Sequence, residues 1–481
     1  MAKKREYIDF KLFLTRPPGA PDACQVSLLP TPEVGETIEP VTVPAEMGPS
    51  ADQLGYLANK SITLRNLVKY GKGLANWLLP EGTIRNLFDE ALKRAGNEGG
   101  VRLRLIIADH TLKGLPWEYA YYDPLGGPDS MRGFLTLEPR VSMIRHEPLP
   151  HPHPEPIPEK TTPTDLRMVV AAAAPEGHPQ LNLEREVEII REALDKFEVE
   201  GVRIRADQVL MHATPPEVAD AMRGADSTFV FHFAGHGTST VEKDPFARGE
   251  EREEGYLFFV QDKATNAEAK IRADDLAKYL QLAGVRLAVL GACYSGLRSG
   301  RYPWDSVAGA LAARNIPAIV SMQFEIFDTH AIAFSRAFYG ALAAGLSLDE
   351  AMTLGRLSMY EETGSEPGEV VNIEWGVPVL YSRLPDGIIV PSLAERETET
   401  AIELRNMIRQ TVDIISETGR VVGLEAQFLE GSFRVNQRVK RVNGKLIGMK
   451  IGELGGSVHV QQEIEEVSGN VTGVSLGELG G

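Results

Sequence analysis

Phe229-Val-Phe-His-Phe-Ala-Gly-His-Gly237 is an apolar run that ends in Gly-His-Gly, and Leu287-Ala-Val-Leu-Gly-Ala-Cys-Tyr-Ser-Gly296 is a second run that ends in Cys-Tyr-Ser-Gly. Runs of this kind are typical of strands that are buried on both faces of a mostly parallel sheet. Functional groups in such a sheet gather in the crevice beyond the carboxyl ends of the strands. We therefore expect His236 and Cys293 to lie in one crevice, at the ends of two buried strands.

The segment that contains both runs, residues 165–385, alternates apolar strands with amphipathic helices. Apolar residues recur at steps of three and four from Leu183 to Phe197, which is the stripe of a helix packed on one side. Thr214 followed by Pro215 predicts a helix start, with a cap and a first-turn proline. The pattern predicts a three-layer α/β sandwich with a mostly parallel central sheet.

The part of the chain before this domain divides into two segments. Residues 1–147 combine alternating strand patterns with helical stretches and predict a mixed α/β region. Seven prolines fall within residues 148–163. Because closely spaced prolines favour an extended, semi-rigid chain, residues 148–164 are predicted to be a linker.

The C-terminal part of the chain has a different character. A helix is predicted over 393–417, and residues 418–481 repeat with a period of 25 (444 minus 419, and 469 minus 444), so that Gly419, Gly444 and Gly469 are equivalent. A fixed period of this length indicates a repeated structural unit. The glycine-bounded alternating pieces predict short β-strands stacked in a small array, suited to regulation, to binding another protein or to self-association. A passive tail is the alternative.

Composition and charge argue against some classes of binding partner. The net charge of -17 and the sequence pI of about 5.2 work against binding of nucleic acid, because a polyanion would be repelled. No signal-peptide pattern and no apolar run of membrane-spanning length occurs. We expect a cytoplasmic protein with no membrane partner. Its two cysteines, Cys24 and Cys293, do not suggest a disulfide framework.

His236 and Cys293 together carry the parts needed for acyl transfer. A thiol is a weak nucleophile until it is deprotonated, and a neighbouring imidazole can accept the proton. The backbone amides of Gly237 and Cys293 are candidates for stabilising an oxyanion. The separation of 57 residues (293 minus 236) and the order of His before Cys resemble the spacing noted for caspases.

Other interpretations of these residues are less well supported by the pattern. A buried cysteine at a strand end is often an inert core residue. His232, inside the strand, is expected to be a core histidine. A zinc site with His232 and His236 lacks a third ligand, and no metal is expected. Nucleotide binding would need a glycine-rich phosphate loop, which the sequence lacks.

At these motifs the sequence resembles the CHAT family of peptidases, in the clan of caspases, gingipain and separase. His236 in His-Phe-Ala-Gly-His-Gly and Cys293 in Gly-Ala-Cys-Tyr-Ser-Gly match the catalytic motifs of the family. Leu115-Pro-Trp-Glu118 and Trp375-Gly-Val-Pro-Val-Leu-Tyr381 also look like their family counterparts. The resemblance implies a caspase-like fold, an N-terminal α/β region that packs on the peptidase domain, and proteolysis without a cofactor.

The resemblance also suggests where a substrate side chain would bind. In separase-like relatives an acidic residue at the position of Asp328 helps to receive a basic side chain before the cut. Asp328, with Glu325, is therefore a candidate substrate-binding residue that favours Arg or Lys. The alternative is that Asp328 is a structural carboxylate that caps the helix starting near Thr329.

The sequence suggests two alternative functions. The first is a cysteine endopeptidase that cleaves a protein substrate with His236 and Cys293, in bacterial defence or another pathway of regulated proteolysis. The second is a catalytically silent adaptor of the same fold, which acts through its N-terminal region and its C-terminal repeats. Intact catalytic residues argue against the adaptor, since a scaffold needs neither of them.

Overall fold

The computed structural model describes the residues 5–126, 131–150, 154, 165–196, 203–223, 228–243, 251–294, 303–324, 326–362 and 372–389, and the backbone of six strands between 420 and 476. Most of the predicted linker 148–164, the predicted helix 393–417 and the candidate residue Glu325 lie outside the described residues.

Thirteen strands of the described chain join in one sheet. They are β1 (Tyr7–Thr15), β2 (Cys24–Leu28), β3 (Val41–Val43), β4 (Gly100–Ile107), β5 (Val141–Arg145), β6 (Asp165–Ala173), β7 (Arg203–Met211), β8 (Thr228–Lys243), β9 (Glu251–Val260), β10 (Glu268–Arg272), β11 (Leu287–Tyr294), β12 (Ala318–Met322) and β13 (Pro378–Ser382).

Helices of the described chain lie between these strands. They are α1 (Ala51–Ala58), α2 (Leu64–Leu78), α3 (Thr83–Ala95), α4 (His110–Lys113), α5 (Asp123–Gly126), α6 (Leu183–Lys196), α7 (Pro215–Arg223), α8 (Ala273–Leu282), α9 (Pro303–Ala313), α10 (Asp328–Ala343) and α11 (Leu348–Glu362).

The sheet runs in the order β10-β9-β8-β11-β12-β13-β5-β4-β1-β2-β3, and β6 and β7 continue it beside the first half of β8. The neighbours β6, β8, β11 and β12 are parallel to one another. Parallel strands of this kind need helices on both faces of the sheet. The mostly parallel sheet predicted from the apolar runs is confirmed.

Alternate residues of the central strands pack into two separate cores. On β6, Met168 and Val170 belong to the core that also contains residues of α6, α10 and α11. Val169 and Ala171 belong to the core that contains residues of α7, α8 and α9. Because successive side chains of a strand point to opposite faces, these helices form the two outer layers of a three-layer sandwich.

Capping boxes fix the starts of two of these helices. Thr214 accepts a hydrogen bond from the backbone N–H of Glu217, and the Glu217 carboxylate accepts one from the backbone N–H of Thr214. Ser347 and Glu350 exchange the same pair of bonds before α11. Each box satisfies N–H groups that a helix start leaves without partners. The helix start predicted at Thr214 is confirmed.

The N-terminal strands join the same sheet rather than forming a separate one. β5 pairs in parallel with β13, and Tyr381 and Arg145 are register partners. Arg102 on β4 forms a two-pronged ion pair with Asp349 of α11, at 2.9 Å from Nε to Oδ1 and 2.6 Å from Nη2 to Oδ2. The Asp349 side chain is fully buried, at 0% exposure. Buried, paired charges therefore link the two halves of the chain.

A second buried contact between the halves uses the Leu-Pro-Trp-Glu motif. Arg145 Nη2 donates to Glu118 Oε2 at 2.8 Å, and Gln323 Nε2 donates to the same oxygen at 3.1 Å. Trp117 is fully buried and donates its indole N–H to the Leu112 carbonyl. The motif therefore acts structurally, because it anchors the N-terminal strands to the strand that precedes α10.

The C-terminal strands are parallel and offset by one repeat. They are β14 (Arg420–Val422), β15 (Glu425–Leu429), β16 (Ser432–Val442), β17 (Lys445–Leu454), β18 (Ser457–Val467) and β19 (Asn470–Leu476). β17 pairs with β14 and β15 and, on its other side, with β19, while β16 pairs with β18. Register partners such as Ser432 and Ser457 stand 25 residues apart (457 minus 432). The strands therefore stack at the period seen in the sequence.

Candidate active site

Strands β8 and β11 lie side by side in parallel, and their register makes Cys293 and His236 direct partners. Neighbouring strands of a sheet are about 4.8 Å apart, so the two backbone positions are adjacent. The position of Cys293 falls on the face of the sheet that carries Leu287 and Val289, which pack with α6 and α10 in one core. His236 belongs to the same face of β8 as His232, because the two are four residues apart on the strand.

β8 changes its neighbour at His236. Gly235 is the last residue of β8 that pairs with β6, through Ala173. Gly237 is the first that pairs with β9, through Leu257, and it is also the register partner of Tyr294. The same edge of β8 is therefore paired with β6 before His236 and with β9 after it. The strand order also reverses here, because β7 and β8 lie on opposite sides of β6. Open α/β sheets form binding crevices at such switch points.

The position of His236 corrects one expectation from the sequence. His236 was expected at the end of a strand, but β8 continues through Lys243 as an antiparallel partner of β9. The continuation contains Thr238, Ser239 and Thr240, so it lacks the apolar run that marks the first half of β8. Cys293, by contrast, is the penultimate residue of β11, as expected.

The His236 imidazole is held by a backbone carbonyl. Its side chain is buried, at 1% exposure, and Nε2 is 2.8 Å from the oxygen of Pro179. A carbonyl oxygen only accepts hydrogen bonds. Nε2 must therefore carry a hydrogen, and in the neutral imidazole Nδ1 is the basic nitrogen.

A second histidine lies against the first. The rings of His178 and His236 are stacked, with centroids 5.2 Å apart and 23° between their planes. Nε2 of His178 is 2.7 Å from Oε2 of Glu268 on β10, and the His178 ring also contacts Phe258. Burial alone would raise the pKa of Glu268, but hydrogen bonds from His178 and Lys270 outweigh it and lower the pKa. The carboxylate is thus kept charged beside His178.

The loop that carries His178 and Pro179 runs from β6 to α6 and is fastened to the β9–β10 hairpin. Asn266 of the hairpin accepts a hydrogen bond from Glu176 N at 2.9 Å and donates from Nδ2 to Ala174 O at 3.2 Å. Gly177, immediately before His178, has φ of +90°, a conformation that glycine adopts without strain. The loop geometry therefore depends on the hairpin as well as on its own sequence.

Asp328 lies at the other end of the same loop. Its Oδ2 accepts a hydrogen bond from the backbone N–H of Asn182 at 3.1 Å, just before α6. Asp328 is itself the first residue of α10, and no side chain caps that helix at Phe327. The carboxylate therefore contacts the start of α6, and not the helix that the sequence suggested it would cap. Glu325 lies outside the described residues.

His232 is satisfied inside the core. Nδ1 is 2.7 Å from the Tyr339 hydroxyl and Nε2 is 3.1 Å from Oε1 of Glu186, and the side chain is fully buried. Burial, together with the charge of Glu186, raises the pKa of Tyr339 well above its usual value. His232 is therefore a structural histidine. Among the described residues, no group of three or more His, Cys, Asp and Glu side chains is arranged to hold a metal ion.

Sequence reasoning missed three contributors to the site: the Pro179 carbonyl, His178 and Glu268. A carbonyl oxygen has no signature in the sequence, since every residue has one. His178 and Glu268 are 90 residues apart (268 minus 178), and only the pairing of β10 with β9 brings Glu268 to the loop. The turn residues Pro175, Glu176 and Gly177 were the signal that a structured loop follows β6.

A family model described as the CHAT domain matches residues 68–396, which is more than half of the 481 residues. The chain belongs to the CHAT domain family. The resemblance seen in the sequence is thus confirmed, and the caspase-like α/β fold class predicted for this CHAT protein is confirmed as well. No curated protein matches the chain by sequence.

Solved structures similar to this CHAT protein include one cysteine proteinase and two other proteins. The Arg-specific cysteine proteinase gingipain R is 14% identical, with a TM-score of 0.37, over 64% of this chain and 69% of that chain. The separase of the Saccharomyces cerevisiae separase–securin complex is 11% identical, with a TM-score of 0.41, over 78% of this chain and 30% of that chain. A Geobacter sulfurreducens protein is 17% identical, with a TM-score of 0.29, over 49% of this chain and 97% of that chain.

Among the described helices of this CHAT protein, none combines sufficient length with sufficient hydrophobicity to span a bilayer.

Proposed function

We propose that this CHAT protein is a cysteine endopeptidase in which His236 is the general base and Cys293 the nucleophile. The observation that carries the proposal is the register of β8 and β11, which makes the two residues direct partners at the point where β8 changes its neighbour. A nucleophile and its base must come within hydrogen-bonding reach, and adjacent register positions support this arrangement because they bring the two backbones together.

The contact of His236 with Pro179 supports a specific proton path. Because Nε2–H donates to the carbonyl, Nδ1 takes the thiol proton of Cys293. The thiolate then attacks the scissile carbonyl carbon, and the backbone amides of Gly237 and Cys293 stabilise the oxyanion. The C–N bond breaks as imidazolium gives its proton to the leaving amine, which leaves a thioester. Water, deprotonated by His236, hydrolyses the thioester and releases the acid.

The carbonyl of Pro179 takes the place that a carboxylate occupies in a catalytic triad. It orients the imidazole and selects its tautomer, and its partial negative charge stabilises the imidazolium. A neutral acceptor stabilises the cation less than a carboxylate does. This suits a thiol nucleophile, because cysteine ionises far more readily than serine and needs a weaker base.

Asp328 is proposed to bind the side chain that precedes the cleaved bond, with Glu325 as a second carboxylate. Its hydrogen bond to Asn182 supports this role, because Asn182 and Pro179 belong to one loop and Pro179 contacts the general base. A carboxylate at that position favours Arg or Lys. The substrate we propose is another protein, cut in a pathway of regulated proteolysis such as bacterial defence, in the cytoplasm.

Reactivity of the thiol tests the proposed residue pair without knowledge of the substrate. The rate of alkylation of Cys293 by iodoacetamide is measured against pH in the full-length protein and in a His236→Ala variant. A thiolate paired with an imidazolium should react at pH 6 at a rate close to its plateau, because ion pairing lowers the thiol pKa. In His236→Ala the rate should rise only around the ordinary thiol pKa of about 8.5.

Cleavage is tested separately, by comparing the proteins of cells that express the wild type, Cys293→Ala or Cys24→Ala. New protein N-termini should be formed by the wild type and by Cys24→Ala and should be missing with Cys293→Ala. If the protein is a catalytically silent adaptor, cells that express any of the three proteins should contain the same protein N-termini. Identical alkylation profiles with and without His236 would contradict the proposed base.

A further inference from the structure

The two long strands of the C-terminal repeats carry opposite charges at equivalent positions. β16 contains Arg434, Arg438, Lys440 and Arg441 and has no acidic residue, whereas β18 contains Glu463, Glu465 and Glu466 and has no lysine or arginine. One other equivalent pair, Glu425 and Lys450, also differs in sign. The reversal is concentrated in β16 and β18, where Arg438, Lys440 and Arg441 correspond to Glu463, Glu465 and Glu466.

The register places the opposite charges side by side. Arg438 is the partner of Glu463, and Arg441 is the partner of Glu466. Lys440 and Glu465 are also separated by one repeat of 25 residues (465 minus 440). Directly opposed charges of opposite sign stabilise neighbouring strands, and like charges destabilise them. The β16–β18 pair is therefore a basic strand matched to an acidic strand.

Each of the two strands pairs on one edge only within the described part of the chain. β16 and β18 form a two-stranded sheet, and no other described strand is hydrogen-bonded to either of them. A parallel strand with an unpaired edge presents a row of N–H and C=O groups that can bind a further strand. The second edge of β18 thus has the backbone N–H and C=O groups and the negative charge that another parallel, basic strand would need.

We propose that the second edge of β18 binds β16 of a second copy of this chain, in parallel and head to tail. The repeat supports this occupant, because β16 already pairs with β18 at an offset of one repeat in the same molecule. An intermolecular pair would reproduce the same backbone register, in which arginine and glutamate are again register partners. This inference is independent of the proposed peptidase activity.

The charges also exclude the competing ways of stacking. A β18 strand laid in register on another β18 would place three glutamates against three glutamates, and two β16 strands would oppose their basic residues. A head-to-tail contact uses two different surfaces and does not close on itself, so it generates an open filament rather than a dimer. The assembly therefore grows with protein concentration.

The test uses full-length protein in a Cys293→Ala background, so that cleavage does not alter the size. A charge-swapped variant reverses both strands at once, which keeps the intramolecular pairs opposite in sign. It carries six substitutions: Arg438→Glu, Lys440→Glu, Arg441→Glu, Glu463→Lys, Glu465→Lys and Glu466→Lys. Circular dichroism checks that both proteins contain the same β-structure.

Sedimentation velocity is expected to show concentration-dependent assemblies for each protein alone, weakened by added salt. With two fluorescent labels, wild-type samples should co-assemble with each other, and wild type with the charge-swapped variant should co-assemble about tenfold less, because like charges then meet at the contact. Equal co-assembly of the two proteins overturns the proposal. So does a wild type that stays at the mass of one chain, 52.6 kDa, at every concentration tested.

Discussion

The rings of His178 and His236 lie nearly parallel, with centroids 5.2 Å apart, and His178 is itself bound to Glu268. His178 does not touch the reacting atoms in the proposed mechanism, so its role would be to position His236. We expect His178→Ala to lower kcat/KM by about tenfold to hundredfold, because small displacements of a catalytic group are costly. The loss should fall on kcat and leave KM nearly unchanged.

Two further variants separate the stacked ring from the hydrogen bond. His178→Phe keeps an aromatic ring beside His236 and loses the bond to Glu268, whereas Glu268→Gln keeps the histidine and removes the charge. If stacking holds His236, His178→Phe should retain more activity than His178→Ala. Equal activity of His178→Ala and the wild type would remove the positioning role.

The two cysteines should differ sharply in reactivity. Cys24 is fully buried in β2, and burial raises the pKa of its thiol to about 12. Iodoacetamide at neutral pH should therefore modify the folded protein once, at Cys293, because the thiolate is the reactive form. Mass spectrometry of the digested protein identifies the modified residue.

Cys293→Ala provides the control for this labelling and should take up no label while it is folded. Unfolding in guanidinium should expose both cysteines of the wild type to the reagent. Modification of Cys24 in the folded protein would show that the strand β2 opens more readily than its burial implies.

Asp349 should stabilise the protein most strongly near neutral pH. Burial alone would raise the pKa of Asp349, but Arg102 and the hydrogen bonds from Arg102 and Ser142 outweigh it and lower the pKa. Asp349→Asn should cost about 3–5 kcal/mol in the free energy of unfolding, because it leaves Arg102 buried without its main partner. Denaturant titration at pH 7 measures this difference.

The pH dependence of that difference follows from the sign of the shift. A lowered pKa in the folded state means that the stabilisation is present above the unfolded value of about 3.9 and is lost as the pH falls through the lowered pKa. The difference in the free energy of unfolding between the wild type and Asp349→Asn should therefore become smaller below about pH 4. Asp220→Asn is the control, since its ion pair with Arg223 is largely exposed and should be worth less than about 1 kcal/mol.

Removal of the N-terminal strands should prevent folding of the rest of the sheet. β5 lies between β4 and β13, and a chain that begins at residue 165 would expose the edge of β13. It would also lose Glu118 as the partner of Gln323. We expect this truncation to be insoluble, because a bare strand edge promotes aggregation.

A chain that ends at residue 389 is the control for the truncation, since it keeps β1 to β13, and it should remain soluble. Solubility and the cooperativity of thermal unfolding are compared for the two truncated chains. A soluble, cooperatively folded protein that begins at residue 165 would show that the shared sheet is not required.

Asp328 gives a prediction about specificity. A peptide library should be cleaved after Arg or Lys, and Asp328→Asn should lower the preference for a basic side chain more than it lowers overall cleavage, because a charge-assisted bond becomes a neutral one. Cleavage only after apolar or acidic residues would rule out this role. Asp386→Asn, on an exposed carboxylate far along the chain, is the matched control.

The sequence predicted those parts of the fold that depend on side-chain pattern. The apolar runs at Phe229 and Leu287 predicted two buried neighbouring strands, and the capping pattern at Thr214 predicted a helix start. The second half of β8 was missed, because its polar residues are recruited into the sheet by pairing with β9 and not by their own apolar character. Long-range pairing of this kind leaves no local signal.

The same distinction applies to the candidate site. His236 and Cys293 were recognised from their motifs, but the position of His178 depends on a hairpin whose Glu268 is 90 residues further along the chain (268 minus 178). The role of Leu115-Pro-Trp-Glu118 as an anchor between the two halves could not be read from the motif. It depends on Arg145 and Gln323, which only the folded chain brings to Glu118.

The acceptor for His236 Nε2 is an atom that point mutations do not remove. Any amino acid at position 179 would still offer a carbonyl oxygen, so substitution there can preserve the tautomer of the imidazole. Insertion or deletion between Ala174 and Asn182 would instead shift that oxygen by several ångströms. Functional relatives should accordingly vary in the amino acid at position 179 but keep the length of this loop constant.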